Sequence, residues 1–300
     1  MRRFNRSKQR GKTTPSELDL VRQFYAEELR AVANLQSEAV VRAFAKVPRE
    51  HFLGPGPWRV FSPGSQSDWT TKDADPTHLY HNLLVVIDEE RHLNNGHPGF
   101  LAFLIEQLEL KDGQRAVHVG CGTGYYTAII AEVVGREGHV TAIEIDTQLA
   151  GRARNNLSYF ANVEVIEGDG GEIDAGPADA ILVNAGATHL RSIWLDSLRP
   201  HGRLIMPLTV IDDTDRGGEG RILKVTCQSE GFTAFFISEV RIFPCIGGWD
   251  GDSNQRLKES LERDDWTSVQ SLRREPHEPA DSCWFHGRDF CLSKLPLMKE

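Results

Sequence analysis

Residues 98–248 predict an α/β fold, a doubly wound and mostly parallel sheet with helices on both faces. Three observations predict it. Helix-period and strand-period stretches alternate through the segment. One strand–helix junction is packed with glycine, at Gly120, Gly122 and Gly124. Carboxylates then stand at the ends of the next two strands, Glu144 and Asp169. Ligands of such sheets bind beyond the carboxyl ends of the strands.

The elements follow in chain order. Arg2, Arg3, Arg6, Lys8, Arg10 and Lys12 stand near the N-terminus with no acid among them, and residues 1–15 read as a flexible basic arm. A helix starts after Ser16, a plausible N-cap, because Leu18, Val21, Phe24, Tyr25 and Leu29 recur at helical spacing. A second helix over 37–46 stops at Val47-Pro48, since a residue before proline avoids the helical region. Residues 54–78 are rich in Gly, Pro, Ser and Asp and read as an irregular loop. Helices are then expected over 100–110, 125–134, 147–160 and 190–198. Strands are expected over 116–119, 140–145, 163–167, 180–184 and 203–208. Two more strands, 221–228 and 233–242, flank the turn Ser229-Glu230-Gly231 as an antiparallel hairpin. Beyond Gly248 the chain is polar until Ser282, and a last hairpin pairs 283–285 with 290–292. The division is therefore an arm (1–15), an N-terminal helical and loop region (16–97), a core (98–248) and a C-terminal extension (249–300).

The 300 residues are 40% hydrophobic and 26% charged, as in a soluble globular enzyme. No apolar run is long enough for a membrane helix, and no signal peptide pattern is present. Net charge is −9, and the body without its arm is more acidic still. That balance argues against general nucleic-acid binding; the basic arm could touch RNA or anionic lipid but reads first as a solvated tail, and neither a nucleic-acid nor a membrane partner is expected. The five cysteines, Cys121, Cys227, Cys245, Cys283 and Cys291, make no C-x-x-C pair. Their odd number and wide spacing suit reduced thiols in a cytoplasm, and no structural zinc site is expected. His78, His81, His92 and His97 cluster in sequence, but their spacing matches no metal motif. No metal is expected. The oligomeric state is left open.

Glycines at 120, 122 and 124 let the backbone turn tightly and approach a ligand closely. A dinucleotide fingerprint would need a fourth glycine at 125, where Tyr125 stands. The spacing suits a ligand without a pyrophosphate. Glu144 can accept hydrogen bonds from both hydroxyls of a ribose, although a solvated strand-end acid would look the same. Asp169, in Glu167-Gly168-Asp169-Gly170-Gly171, can accept from an adenine amino group, or can simply serve a turn.

Several ordered segments resemble the protein-L-isoaspartate O-methyltransferases. They are the run Ala43-Phe44-Ala45-Lys46-Val47-Pro48-Arg49-Glu50-His51-Phe52, the Gly168-Asp169-Gly170 turn, the Ala180–Ala187 run, the Arg199–Leu208 run and the Val240–Gly248 run. The resemblance covers about residues 37–248. It implies a seven-stranded class I methyltransferase sheet, S-adenosylmethionine as cofactor, and a protein or peptide substrate methylated on an isoaspartyl or aspartyl carboxylate. Such an acceptor is already ionised at pH 7 and requires no general base. By position it makes His118, Gly120, Cys121, Gly122, Gly124, Glu144, Ile145, Asp169, Gly170 and Asn184 the expected cofactor residues.

The sequence departs from that pattern twice near the expected site. Family members carry Thr-Ile-Ser-x-Pro before the helix that leads into the first strand; here the run is Asn94-Asn95-Gly96-His97-Pro98. Both hydroxyls are missing. Asn94 can still hydrogen-bond a carboxylate, and Asn95-Gly96 can equally be a tight turn. His118 stands where class I methyltransferases usually have Asp or Glu, and is expected near the cofactor. Asn94, Gly96, His97 and His118 are the catalytic candidates. Two other readings stay open: a methyltransferase of the same fold with a different acceptor, such as a peptide natural product or small metabolite, or a cofactor-binding protein that has lost catalysis.

Overall fold

The computed structural model describes residues 16–62, 67–211, 217–243, 245, 248–263 and 265–297. The basic arm expected over 1–15 lies outside the described residues. Helix α1 (Glu17–Ala33) starts at a reciprocal cap: the Ser16 hydroxyl accepts from the Asp19 N–H at 3.2 Å, and the Asp19 carboxylate accepts from the Ser16 N–H at 3.1 Å. Helix α2 (Glu38–Lys46) is capped by Ser37 and ends at Val47, ahead of Pro48. A 3-10 turn at Arg49–Phe52 follows.

The stretch expected as an irregular loop holds two short strands, β1 (Arg59–Phe61) and β2 (Asp68–Thr70). With β3 (Leu84–Asp88) and β4 (Leu93–Asn94) they form a small antiparallel sheet, in the order β2-β1-β3-β4. Leu53, Trp58, Val60, Leu79 and Val85 are its core. Three-residue strands between glycines and prolines are too short to show a period.

The larger sheet is built from α3 (Pro98–Gln107), β5 (Arg115–Val119), α4 (Tyr125–Val134), β6 (His139–Glu144), α5 (Thr147–Asn156), β7 (Val163–Glu167), β8 (Ala178–Val183), α6 (Ser192–Asp196), β9 (Leu198–Val210), β10 (Gly218–Gln228), β11 (Gly231–Ile242), α7 (Gly251–Glu262), β12 (Ser271–Arg273), β13 (Cys283–His286) and β14 (Cys291–Ser293). Its order is β13-β14-β12-β11-β10-β9-β8-β5-β6-β7. From β7 to β9 every neighbour is parallel; from β10 outward every neighbour is antiparallel. The chain winds from β5 out to β7, then returns to β8 on the other side of β5. That reversal opens a crevice at the carboxyl ends of β5 and β8.

Ten strands replace the seven expected, because the extension adds β12, β14 and β13 beyond β11. The last hairpin forms as expected. Helix α7 and β12 were not legible in the polar stretch before it. Among the described residues no helix is long and apolar enough to cross a membrane.

Strand alternation sorts the core into two layers. Ala116, Val140 and Ala180 face α1, α2, α3 and α4 on one side. Val117, Val119, Ile181 and Val183 face α6, α7 and the extension on the other. Residues 16–97 and 98–248 share the first layer, which runs from Tyr25 to Ile222. Phe44 of α2 is fully buried there, with edge contacts to Tyr25 and Tyr125, each at 6.3 Å between ring centres. Phe44→Ala is expected to cost about 3–5 kcal/mol of stability, measured by urea unfolding. A loss below about 1 kcal/mol would mean that α1 and α2 pack independently of the sheet.

Candidate active site

A cleft of about 900 Å³ opens at the switch point. The glycine junction forms its floor. Gly120, Gly122 and Gly124 have φ of 73°, 58° and 96°, the left-handed region that strains any side chain. The N–H groups of Gly120 and Cys121 both donate to the Ile143 carbonyl, at 2.8 and 3.2 Å, and tie the junction to β6. The three glycines serve different ends. A Cβ on Gly122 would meet nothing within 4 Å, so this position stands open to a ligand. A Cβ on Gly124 would sit 2.7 Å from Leu157. Gly124 is thus favoured by its left-handed backbone and its close approach to Leu157, and it does not line the cleft.

Glu144 ends β6 and is 7% exposed. Its two oxygens accept from the Gly122 N–H at 2.7 Å and the Asp146 N–H at 3.1 Å. Asp169 follows β7. One oxygen accepts from the Gly171 N–H at 2.7 Å, and the Arg191 guanidinium lies 3.7 Å from the other. Gly170 cannot be larger, because a Cβ would reach Val119 at 2.4 Å. Of the residues the sequence marks for the cofactor, Gly120, Cys121, Gly122, Glu144, Ile145, Asp169, Gly170 and Asn184 line the cleft.

Asn94, Asn95, Gly96 and His97 line the same cleft; Pro98 is the buried first residue of α3. The Asn94 side-chain oxygen accepts from the Gly96 N–H at 2.8 Å, so the side chain offers a ligand its NH2 group. Gly96 is also left-handed, with φ 80°, and its carbonyl accepts from the Tyr126 hydroxyl at 3.1 Å. Burial, reinforced by the Arg49 charge, holds His97 below the usual imidazole range. Of the other clustered histidines, His92 lines the same cleft. His78 pairs with Asp73 at 2.9 Å, and the four form no metal-holding group among the described residues.

Sequence reasoning did not single out several residues that shape the site. Arg49 is fully buried and donates to Asn95 Oδ1 at 3.4 Å, fixing the loop from behind. Its place in the Val47-Pro48-Arg49-Glu50 run was the available signal. Phe61, Leu84 and Ile87 reach the cleft from the small sheet, and Ile242 and Phe243 from the end of β11. The former lie at or beside a stretch without readable periodicity.

His118 is a correction. It was expected near the cofactor and as a catalytic candidate, but it does not line the cleft. Alternation along β5 turns it with Ala116 toward α4, where its Nδ1 lies 2.8 Å from Thr127 Oγ1. It is fully buried, and burial pushes its pKa down to about 4. The folded chain therefore keeps this imidazole neutral while the unfolded chain protonates it near pH 6.5. Stability is unaffected above that pH and falls as pH drops from 6.5 toward 4, by about 3 kcal/mol in all. Unfolding measured across that window is expected to show His118→Gln losing less stability than the parent chain. Equal losses would mean that His118 does not resist protonation.

The family model for protein-L-isoaspartate(D-aspartate) O-methyltransferase matches residues 71–232. A protein-L-isoaspartate O-methyltransferase 2 of Archaeoglobus fulgidus is 33% identical over 215 residues, 68% of this chain and 89% of that protein. A protein-L-isoaspartate O-methyltransferase of Bradyrhizobium sp. is 31% identical over 71% of this chain and 88% of its own. Among solved structures, a protein-L-isoaspartate O-methyltransferase superposes with a TM-score of 0.61 at 23% identity, over 80% of this chain and 69% of the other. A Plasmodium falciparum structure described as a putative enzyme of that name, in complex with S-adenosyl-L-homocysteine, gives 0.55 at 20%, over 75% and 97%. With its winding order, its glycine junction and these relatives, the chain belongs to the protein-L-isoaspartate O-methyltransferase family.

Proposed function

We propose that this chain transfers the methyl group of S-adenosylmethionine to the carboxylate of isoaspartyl residues in proteins or peptides. One observation carries the reading: the acid-bearing strand ends and the 94–97 loop line one continuous cleft. A nucleoside held by the first would meet an acceptor held by the second.

The residues fit the cofactor. Glu144 spends one lone pair per oxygen on backbone N–H groups and keeps others for two ribose hydroxyls. Gly122 leaves open space beside it. Asp169 would accept from an adenine amino group, and Gly120, Cys121, Ile145, Gly170 and Asn184 line the rest of the wall. When bound, S-adenosylmethionine supplies an electrophilic methyl on a sulfonium. An isoaspartyl carboxylate is ionised at pH 7, so the chain need not remove a proton. Its work is alignment and the exclusion of water. Phe61, Leu84, Phe100 and Ile242 provide apolar walls. The Asn94 NH2 would donate to the acceptor, with the Arg49 charge behind the loop favouring an anion.

A second reading, the same transfer to a different acceptor, is favoured by the lack of hydroxyls over 94–98. We read the setting as cytoplasmic, since five cysteines without paired spacing suit a reducing compartment.

Tritiated methyl is expected to pass to an isoaspartyl peptide and to be released by mild base. Intact cofactor binding with only base-stable label in a lysate would replace this reading with the second. Glu144→Gln is expected to weaken S-adenosylhomocysteine binding by about 10- to 100-fold, the worth of a hydrogen bond to a charged group. An unchanged Kd by calorimetry would remove Glu144 from the cofactor.

A further inference from the structure

The C-terminal extension gathers four side chains far along the sheet from the cleft. His277, Cys283, His286 and Cys291 each offer one nitrogen or sulfur, and these atoms all lie within 4.8 Å of one another. The sheet explains how they meet. Cys291 stands opposite His286, and Ser293 opposite Cys283. Opposed residues project to one face, and Cys291 and Ser293, two apart, share it. Strict alternation would turn Cys283 and His286 to opposite faces. A register shift between Cys283 and Phe285 restores the parity, as a bulge re-aims a side chain.

His277 arrives from the connection between β12 and β13. Its Nε2 lies 3.5 Å from Cys283 Sγ, and its Nδ1 lies 2.9 Å from the Glu275 carbonyl. A carbonyl only accepts, so Nδ1 carries the proton and Nε2 presents its lone pair. Metal-bound imidazoles are held in this way by a backbone acceptor on the second nitrogen. Zn–S bonds of about 2.3 Å and Zn–N bonds of about 2.0–2.1 Å, at a tetrahedral angle, separate sulfur from nitrogen by about 3.5 Å. His286 adds an independent sign: its Nδ1 is buried with no hydrogen-bond partner among the described residues.

We propose that His277, Cys283, His286 and Cys291 form a closed Cys2His2 site for a zinc ion. Binding forms two Zn–S and two Zn–N bonds and releases the two thiol protons to solvent, leaving the site electrically neutral. Four protein ligands leave no open position, so the ion is structural. β13 lies seven places along the sheet from β5, so this ion takes no part at the cleft. It staples an exposed connection to the last hairpin. No C-x-x-C turn marks this site in the sequence: the four residues alternate in type and are brought together by a bulge.

The full chain, purified without chelator, is expected to carry one zinc per molecule by elemental analysis. Chelation should lower its melting midpoint by several degrees, and added Zn(II) should restore it. Co(II) added to the reduced, metal-free chain should give tetrahedral bands with thiolate charge transfer, and Cys283→Ser should lose most of that intensity. If that variant does not fold, the parent's cobalt spectrum decides alone: tetrahedral thiolate bands support the site, and a weak octahedral spectrum overturns it. Absence of zinc with no uptake of either ion by the reduced chain also overturns it. So does a Cys283–Cys291 disulfide in the purified protein, read as two fewer thiols than the five in the sequence.

Discussion

The cleft depends on a buried positive charge. Arg49 is fully inaccessible. Its guanidinium donates to the carbonyls of Leu79, His81 and Leu83, at 2.7, 3.1 and 2.7 Å, and to the Asn95 side chain. Among the described residues these partners are neutral oxygens, not carboxylates. Taking such an ion out of water costs several kcal/mol unless its donors are met. The 79–83 segment must therefore aim three carbonyls at one point, and Asn95 must stay beside them. The neighbouring Glu50 turns outward, accepting from Arg22 at 2.6 Å and from the Tyr80 hydroxyl. Tyr80 in turn accepts from the Arg49 N–H at 3.2 Å. One 3-10 turn thus fastens α1, the small sheet and the 94–97 loop to each other.

The other wall rests on a second tether. The Gly122 N–H and the Asp146 N–H hold the Glu144 carboxylate from two sides, and the Ile143 carbonyl holds the glycine junction below it. β5 and β6 are consequently tied into one edge. Alternation then decides what that edge shows. Val119 turns toward the cleft and packs against Gly170, while His118 turns into the helical layer.

What was legible follows from these same forces. The junction over 116–134 could be read because a short apolar strand, three glycines and a strongly helical run each carry a local signature. Pro98 fixed the register of the 94–97 loop, and the structure brings that loop to the glycines. The direction of His118 was recoverable in principle, since Ala116 and His118 must share a face. The Val47-Pro48-Arg49-Glu50 run marked Arg49, but its anchoring role was not readable, because its partners are backbone carbonyls some 30 residues downstream, and any sequence supplies carbonyls. β1, β2 and β12 are three-residue strands stabilised by pairing rather than by pattern. The His277–Cys291 cluster depends on a bulge, which leaves no mark in the spacing.

The groups that line the cleft also bear on selectivity. Cys121 stands within the glycine junction and lines the cleft. A thiolate there would compete with the acceptor, since the thiolate is the nucleophilic form of cysteine. Burial, with the Glu144 carboxylate beside it, pushes this thiol well above the usual range. Burial likewise pushes the Tyr126 phenol up and the His97 imidazole down. Each of the three is thereby held in its neutral form. An acceptor that enters already ionised would be a nucleophile needing no activation, while the Cys121 thiol stays protonated. The same burial that organises the loop thus also leaves these groups on the wall of the cleft in their neutral forms.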